Sequence, residues 1–198
     1  VDGKLHWAAA YAWMAMIEAA KTDGLELKPT SSADTYRTYE SQLAAFKQRY
    51  TTTPNANATR TFEGKKWYKK DPKLASLASP GTSQHNSGLA VDVANAGEPK
   101  RINWLIANVK KFGFSWEVVP EEPWHIRYVC GDALPEAVAA YMSANGLAKP
   151  AGGASTASVP PAGGASAGGD DGGDLNPGDS GPRVAKLQEE LAEKGFYK

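Results

Sequence analysis

The sequence predicts an α+β fold: a small antiparallel sheet with flanking helices, then a flexible linker and a truncated helical module. Three observations carry this expectation. Segments with helical apolar spacing alternate with short β-branched and aromatic runs, but without the regular strand–helix–strand rhythm of a parallel sheet. From Lys149 onward the chain turns abruptly to Ala, Gly, Ser and Pro. Beyond that stretch, helical spacing returns for a single helix only.

The elements follow in chain order. Leu5–Ala20 is apolar almost all round and reads as a buried helix. Over Glu40–Tyr50, Leu43, Phe46 and Tyr50 recur at helical spacing. Residues 51–82 are polar and interrupted by Pro54, Gly64, Pro72, Pro80 and Gly81, so a long loop is expected there. Leu89–Ala94 (LAVDVA) reads as a short strand. Lys100–Phe112 carries Ile102, Leu105, Ile106 and Val109 on one helical face and stops at Gly113, a residue suited to the left-handed position after a helix. Trp124–Val129 (WHIRYV) is again a strand. Pro135–Asn145, closed by Gly146, is the last helix of the domain.

These elements define a main domain over residues 1–148. Residues 149–174 hold no aromatic residue and one large aliphatic, Val159, so they cannot bury enough apolar surface to offset the entropy of ordering. A Gly-rich coil of that length spans roughly 25–30 Å. In residues 175–198, Val184, Leu187 and Leu191 mark one amphipathic helix, which cannot bury its stripe alone.

Composition excludes several classes. Lys+Arg and Asp+Glu are 22 each, and this zero net charge disfavours a nucleic-acid role, which calls for a basic surface. Cys130 is the only cysteine, which rules out an internal disulfide and any multi-cysteine metal cluster. Trp7–Ile17 is too short for a membrane span, which needs about 20 apolar residues. Asp2 and Lys4 cancel ahead of it, so no signal peptide is expected in this chain. A monomer is the expected state. His6 on the first helix and Cys130 after the last strand are expected to pack as ordinary side chains.

Chemistry concentrates in two short clusters, Ser83–Asp92 (SQHNSGLAVD) and Glu122–His125 (EPWH). On LAVDV, Val91 and Val93 share one strand face and Asp92 takes the other; on WHIRY, His125 and Arg127 lie opposite Trp124 and Ile126. If the strands pair, Asp92 and His125 stand side by side, and His85 can fold over them from the turn at Asn86-Ser87-Gly88. Two imidazoles and one carboxylate are the ligand set of a catalytic zinc with an open fourth position. Zinc lowers the pKa of a bound water to about 7, and Glu122, held out of the strand by Pro123, is placed to take and return that proton.

The motifs S-x-H-x-x-G-x-A-x-D and E-x-W-H resemble those of the LAS metallopeptidases, specifically the VanY-type D-alanyl-D-alanine carboxypeptidases, over about residues 5–142. The resemblance implies a LAS/hedgehog-like fold, with Zn2+ bound by His85, Asp92 and His125 and with Glu122 as general base. Upstream, TYRTYESQ is similar to the family's Tyr-Arg-Ser…Gln segment. It assigns Arg37 to substrate contact and oxyanion stabilisation, with Thr38 where serine is commoner. Ser83, Gln42 and Trp124 fall at substrate-side positions. The tail resembles the opening of a three-helix peptidoglycan-binding module.

Together these imply a zinc peptidase acting on bacterial peptidoglycan stem peptides, outside the cell or in the wall. Glu122-x-x-His125 favours D-alanyl-D-alanine carboxypeptidase activity. The alternative is the L-alanyl-D-glutamate endopeptidase of a phage endolysin. A non-catalytic wall-binding protein with a structural zinc is a third reading, since hedgehog domains share this kind of site. Residues 60–73 carry six cations against two acids and are expected as a solvated loop, with attraction to anionic wall polymers or a substrate lid as the functional alternative.

Overall fold

The computed structural model describes residues 3–116 and 122–150. Most of the expected linker (149–174) and all of the expected terminal module (175–198) lie outside these residues.

The first helix, α1 (Trp7–Thr22), buries Ala8, Ala9, Ala12, Trp13, Ala15, Met16 and Ala20. The alanines let neighbouring elements approach closely, and α1 packs on both α4 (Glu136–Ala144) and the 3-10 turn Val109–Phe112 that extends α3 (Pro99–Asn108). Gly113 ends that turn at φ 79°, as its position predicts. Strands β4 (Ala90–Asp92), β5 (Phe114–Trp116) and β6 (His125–Tyr128) form an antiparallel sheet in the order β4-β6-β5. One face of this sheet presents Val91, Ile126, Phe114 and Tyr128, all nearly inaccessible, to the main core. β5 was not expected; three residues directly after a helix-ending glycine are too few to show a period.

The loop expected over residues 51–82 is in part a second sheet. β1 (Tyr50–Thr51), β2 (Thr59–Phe62) and β3 (Lys65–Lys69) pair antiparallel in the order β1-β3-β2. β2 and β3 are joined by the two-residue turn Glu63-Gly64, with φ of 51° and 68°, the left-handed pair of a type I′ hairpin. The turn twists with the strands, so alternating Thr59-Arg60-Thr61-Phe62 can pair despite the prolines on either side. This sheet and α2 (Tyr39–Arg49) enclose a small aromatic cluster. Phe46 stacks on Tyr50 at 4.6 Å and meets Phe62 and Trp67 edge-on. Much of the lysine-rich stretch is therefore the β2–β3 hairpin, with Lys69 itself buried and its Nζ donating to the Pro72 carbonyl at 3.3 Å.

Candidate metal centre

The strand pairing places the two sequence clusters together. Asp92 and His125 are direct partners in the β4–β6 register, so both side chains rise from the face opposite the core. His85 arrives from the 3-10 turn Gln84–Ser87, which Gly88 ends in the left-handed conformation at φ 68°. A Cβ at Gly88 would lie 2.7 Å from the His6 nitrogen, and that N–H donates to the Gly88 carbonyl at 2.9 Å. The entry to α1 thus clamps the turn, and only glycine fits there.

The geometry converges on one carboxylate oxygen. Asp92 Oδ1 lies 2.8 Å from His125 Nδ1 and 3.4 Å from His85 Nε2. The rings stand 5.0 Å apart, edge to face, and both histidines are buried. One ligand atom from each of the three residues falls within 4.8 Å of the other two. A tetrahedral zinc with bonds of about 2.0–2.2 Å holds its ligand atoms about 3.3–3.5 Å apart, so the residues fit such an ion with small side-chain adjustments. His85 Nδ1 lies 3.3 Å from the Thr35 carbonyl. Donation there leaves Nε2 with its lone pair facing Asp92, the tautomer a metal needs. Among the described residues this is the one group of three such side chains so gathered.

Two acids share the site with opposite electrostatics. Burial alone would raise the Asp92 carboxyl, but its close contacts with the His125 and His85 rings outweigh that and hold Asp92 well below the usual carboxylate range. Glu122 moves the other way. Burial pushes its carboxyl up and Asp92 pushes in the same direction, against the pull of His125, His85 and Arg60. The Glu122 carbonyl accepts the His125 N–H at 2.9 Å, so the acid is tied to the ligand's backbone while its carboxyl stays outside the ligand group. One carboxylate is fixed as an anion for a cation to bind, and the other is eased toward accepting a proton.

Arg37 lies against the same turn. Its N–H donates to the His85 carbonyl at 3.0 Å and its own carbonyl accepts Asn86 Nδ2 at 2.7 Å. The guanidinium is oriented by Ala33 O at 3.2 Å, Gln42 Oε1 at 2.8 Å and Asp34 Oδ1 at 3.1 Å. Thr38 then caps α2, accepting the Ser41 N–H at 3.1 Å, a role open to threonine as well as to the commoner serine. Gln42 is fully buried and spends its amide on Arg37 and, through Nε2 at 2.8 Å, on the Ala78 carbonyl; it stands behind the guanidinium, away from solvent. Ser83 precedes the ligand turn and is nearly buried. Trp124 packs against the main core, and its carbonyl accepts the Val93 N–H. Sequence reasoning did not single out Thr35, Asn86 or Arg60. The first acts through a backbone carbonyl, which no residue type reveals. The other two depend on contacts distant in the chain.

The family model described as VanY, D-alanyl-D-alanine carboxypeptidase, matches residues 2–131. The chain belongs to this family. The Bacillus subtilis protein YodJ is 29% identical over 140 residues, covering 61% of this chain and 45% of the relative. A D-alanyl-D-alanine carboxypeptidase of Enterococcus faecalis is 33% identical over 134 residues, covering 58% and 44%. The chain thus spans less than half the length of these curated relatives. Among solved structures, VanYB in complex with D-alanine-D-alanine aligns at a TM-score of 0.45 and 25% identity, over 72% of this chain and 78% of that one.

Proposed function

We propose that the chain is a zinc-dependent carboxypeptidase that removes the terminal D-alanine from peptidoglycan stem peptides, acting as a monomer outside the cell or in the wall. The observation that carries this reading is the meeting of His85, Asp92 and His125 with a separate, proton-accepting carboxylate at Glu122. Membership of the VanY family supports the choice of substrate.

His85, Asp92 and His125 are the residues that would hold zinc. Bound there, zinc would supply Lewis-acid polarisation of the scissile carbonyl and a water whose pKa is lowered to about 7. Glu122 takes the proton of the attacking water and returns it to the leaving amide nitrogen, a transfer aided by a carboxyl raised toward neutrality. Arg37 directs its remaining N–H groups at the carbonyl oxygen as negative charge develops, and Gln42 and Asp34 hold it in that orientation. Ser83 borders the ligand turn and is assigned to substrate contact. Trp124, packed on the core, steadies His125 from the opposite face. Residues 149–174 and 175–198 are proposed as the linker and the first part of a wall-binding module that keeps the enzyme near its substrate.

Mass spectrometry of muropeptides digested by the zinc-loaded chain tests the reading. Loss of a single D-alanine is the expected product. A new D-glutamate amino terminus would instead establish the endopeptidase of an endolysin. Intact muropeptides with zinc bound would establish a non-catalytic wall protein.

A further inference from the structure

The Arg37 guanidinium is held from within its own stretch of chain: Ala33 O, Asp34 Oδ1 and Gln42 Oε1 all belong to residues 33–42. Those contacts fix its orientation relative to α2, but not its distance from the metal ligands. That distance is set where residues 35–37 run against the ligand turn. Three contacts join the two segments. His85 Nδ1 lies 3.3 Å from the Thr35 carbonyl. The Arg37 N–H donates to the His85 carbonyl at 3.0 Å, and Asn86 Nδ2 donates to the Arg37 carbonyl at 2.7 Å. Both backbone polar groups of Arg37 are thus spent on the turn that carries a ligand.

The first two contacts use the ligand histidine and main-chain atoms. The third depends on a side chain that the motif S-x-H-x-x-G-x-A-x-D leaves open, at position 86. The Asn86 backbone is itself anchored, its N–H donating to the Ser83 carbonyl at 2.9 Å. Its Oδ1 is shielded from solvent and meets no partner among the described residues. An unmet buried acceptor costs free energy, so packing alone would favour an apolar side chain here. What the amide contributes is its donor. We propose that Asn86 is a positioning residue: by clasping the Arg37 carbonyl it sets the spacing between the Arg37 guanidinium and the His85–Asp92–His125 centre. It acts through Arg37 and touches no reacting atom. This rests on the reading above, in which Arg37 serves the scissile carbonyl. The guanidinium lies at the end of a long side chain, so a small tilt of the Arg37 backbone is magnified there. An ångström of misplacement at a reacting centre costs up to about a hundredfold in rate.

The test is a double-mutant cycle on the zinc-loaded full chain, with Asn86→Asp, Arg37→Ala and the pair. Ionised aspartate has the shape of asparagine but no donor. Because Asn86 holds the Arg37 backbone, Arg37→Ala leaves the clasp in place and removes only what it positions. Two quantities are read: hydrolysis of stem peptide, followed by mass spectrometry, and calorimetric affinity for a phosphinate dipeptide that mimics the tetrahedral intermediate. In the chain retaining Arg37, Asn86→Asp should lower kcat and weaken phosphinate binding about ten- to a hundredfold, with KM and zinc content little changed. In the Arg37→Ala chain the same substitution should change neither. Asn86→Leu, uncharged and also without a donor, should match Asn86→Asp, and Asn86→Gln, which keeps the donor, should lose less. A role confined to folding or to the ligand turn would lower zinc content or act equally in both backgrounds. Equal losses in the two backgrounds, or no loss in the chain retaining Arg37, overturn the assignment. A new D-glutamate terminus in place of D-alanine release would overturn the carboxypeptidase reading alone, since the cycle then applies to that bond. Intact peptide would overturn that reading too, while the phosphinate affinities still decide the role of Asn86.

Discussion

The sheet of β4, β6 and β5 rests one face on the main core and carries Asp92 and His125 on the other, whereas β1, β3 and β2 cover only the buried Phe46, Tyr50 and Phe62. Both are three-stranded and antiparallel. In the first, the register of two strands and a clamped glycine turn leave the ligand atoms little freedom. In the second, a short hairpin with exposed lysines hangs on one aromatic cluster. Chemistry that needs ångström precision is built where packing over-determines the backbone.

The largest expected effect falls on the first sheet. Glu122→Gln should lower kcat by about 10²–10⁴-fold, the range for loss of a general acid–base group, with zinc content unchanged. The same substitution should make the metal-free chain more stable at neutral pH. The Glu122 carboxyl is raised in the folded state, so its ionised form is disfavoured there. That cost is present once pH exceeds the folded value and vanishes below the ordinary carboxylate range, where both states are protonated. Thermal melts at the two extremes check the sign: a gain at neutral pH and none in acid.

Phe46→Ala addresses the second lobe. It empties the centre of the aromatic cluster and should cost about 3–5 kcal/mol in denaturant melts. Zinc binding should persist, because none of the three ligands touches that cluster; simultaneous loss of zinc would show the lobes to be one cooperative unit. The smallest effect is Glu63→Asn. The turn holds a non-glycine residue at φ 51°, and asparagine tolerates that conformation better. A gain of roughly 0.5 kcal/mol is expected, the low end of turn optimisation, with hydrolysis unaltered; a loss of stability would mean that the Glu63 side chain matters to the hairpin.

The two lobes also differ in how legible they were. Alternation in LAVDV and WHIRY puts Asp92 and His125 on a common face if the two strands pair, and the β4–β6 register pairs them directly. Gly113 and Gly146 marked helix ends because a left-handed residue there favours glycine. The hairpin is hidden in the sequence because Lys65, Lys66, Lys69 and Lys70 suggest a solvated loop, and Pro54 and Pro72 suggest breaks. The signal was present in the β-branched Thr59 and Thr61 and in the two-residue Glu63-Gly64 turn. What no local pattern could show is which carbonyls orient Arg60 and His85, since Leu77 and Thr35 contribute backbone atoms across folded distances.

The most direct measurement is zinc stoichiometry by elemental analysis after dialysis, on the parent chain and on His85→Ala, Asp92→Ala, His125→Ala and Glu122→Gln. One zinc per parent chain, none retained by the three ligand variants, and one in a Glu122→Gln protein that no longer hydrolyses stem peptide is the predicted result. Full zinc retention in any ligand variant, or parental hydrolysis by Glu122→Gln, would contradict the account.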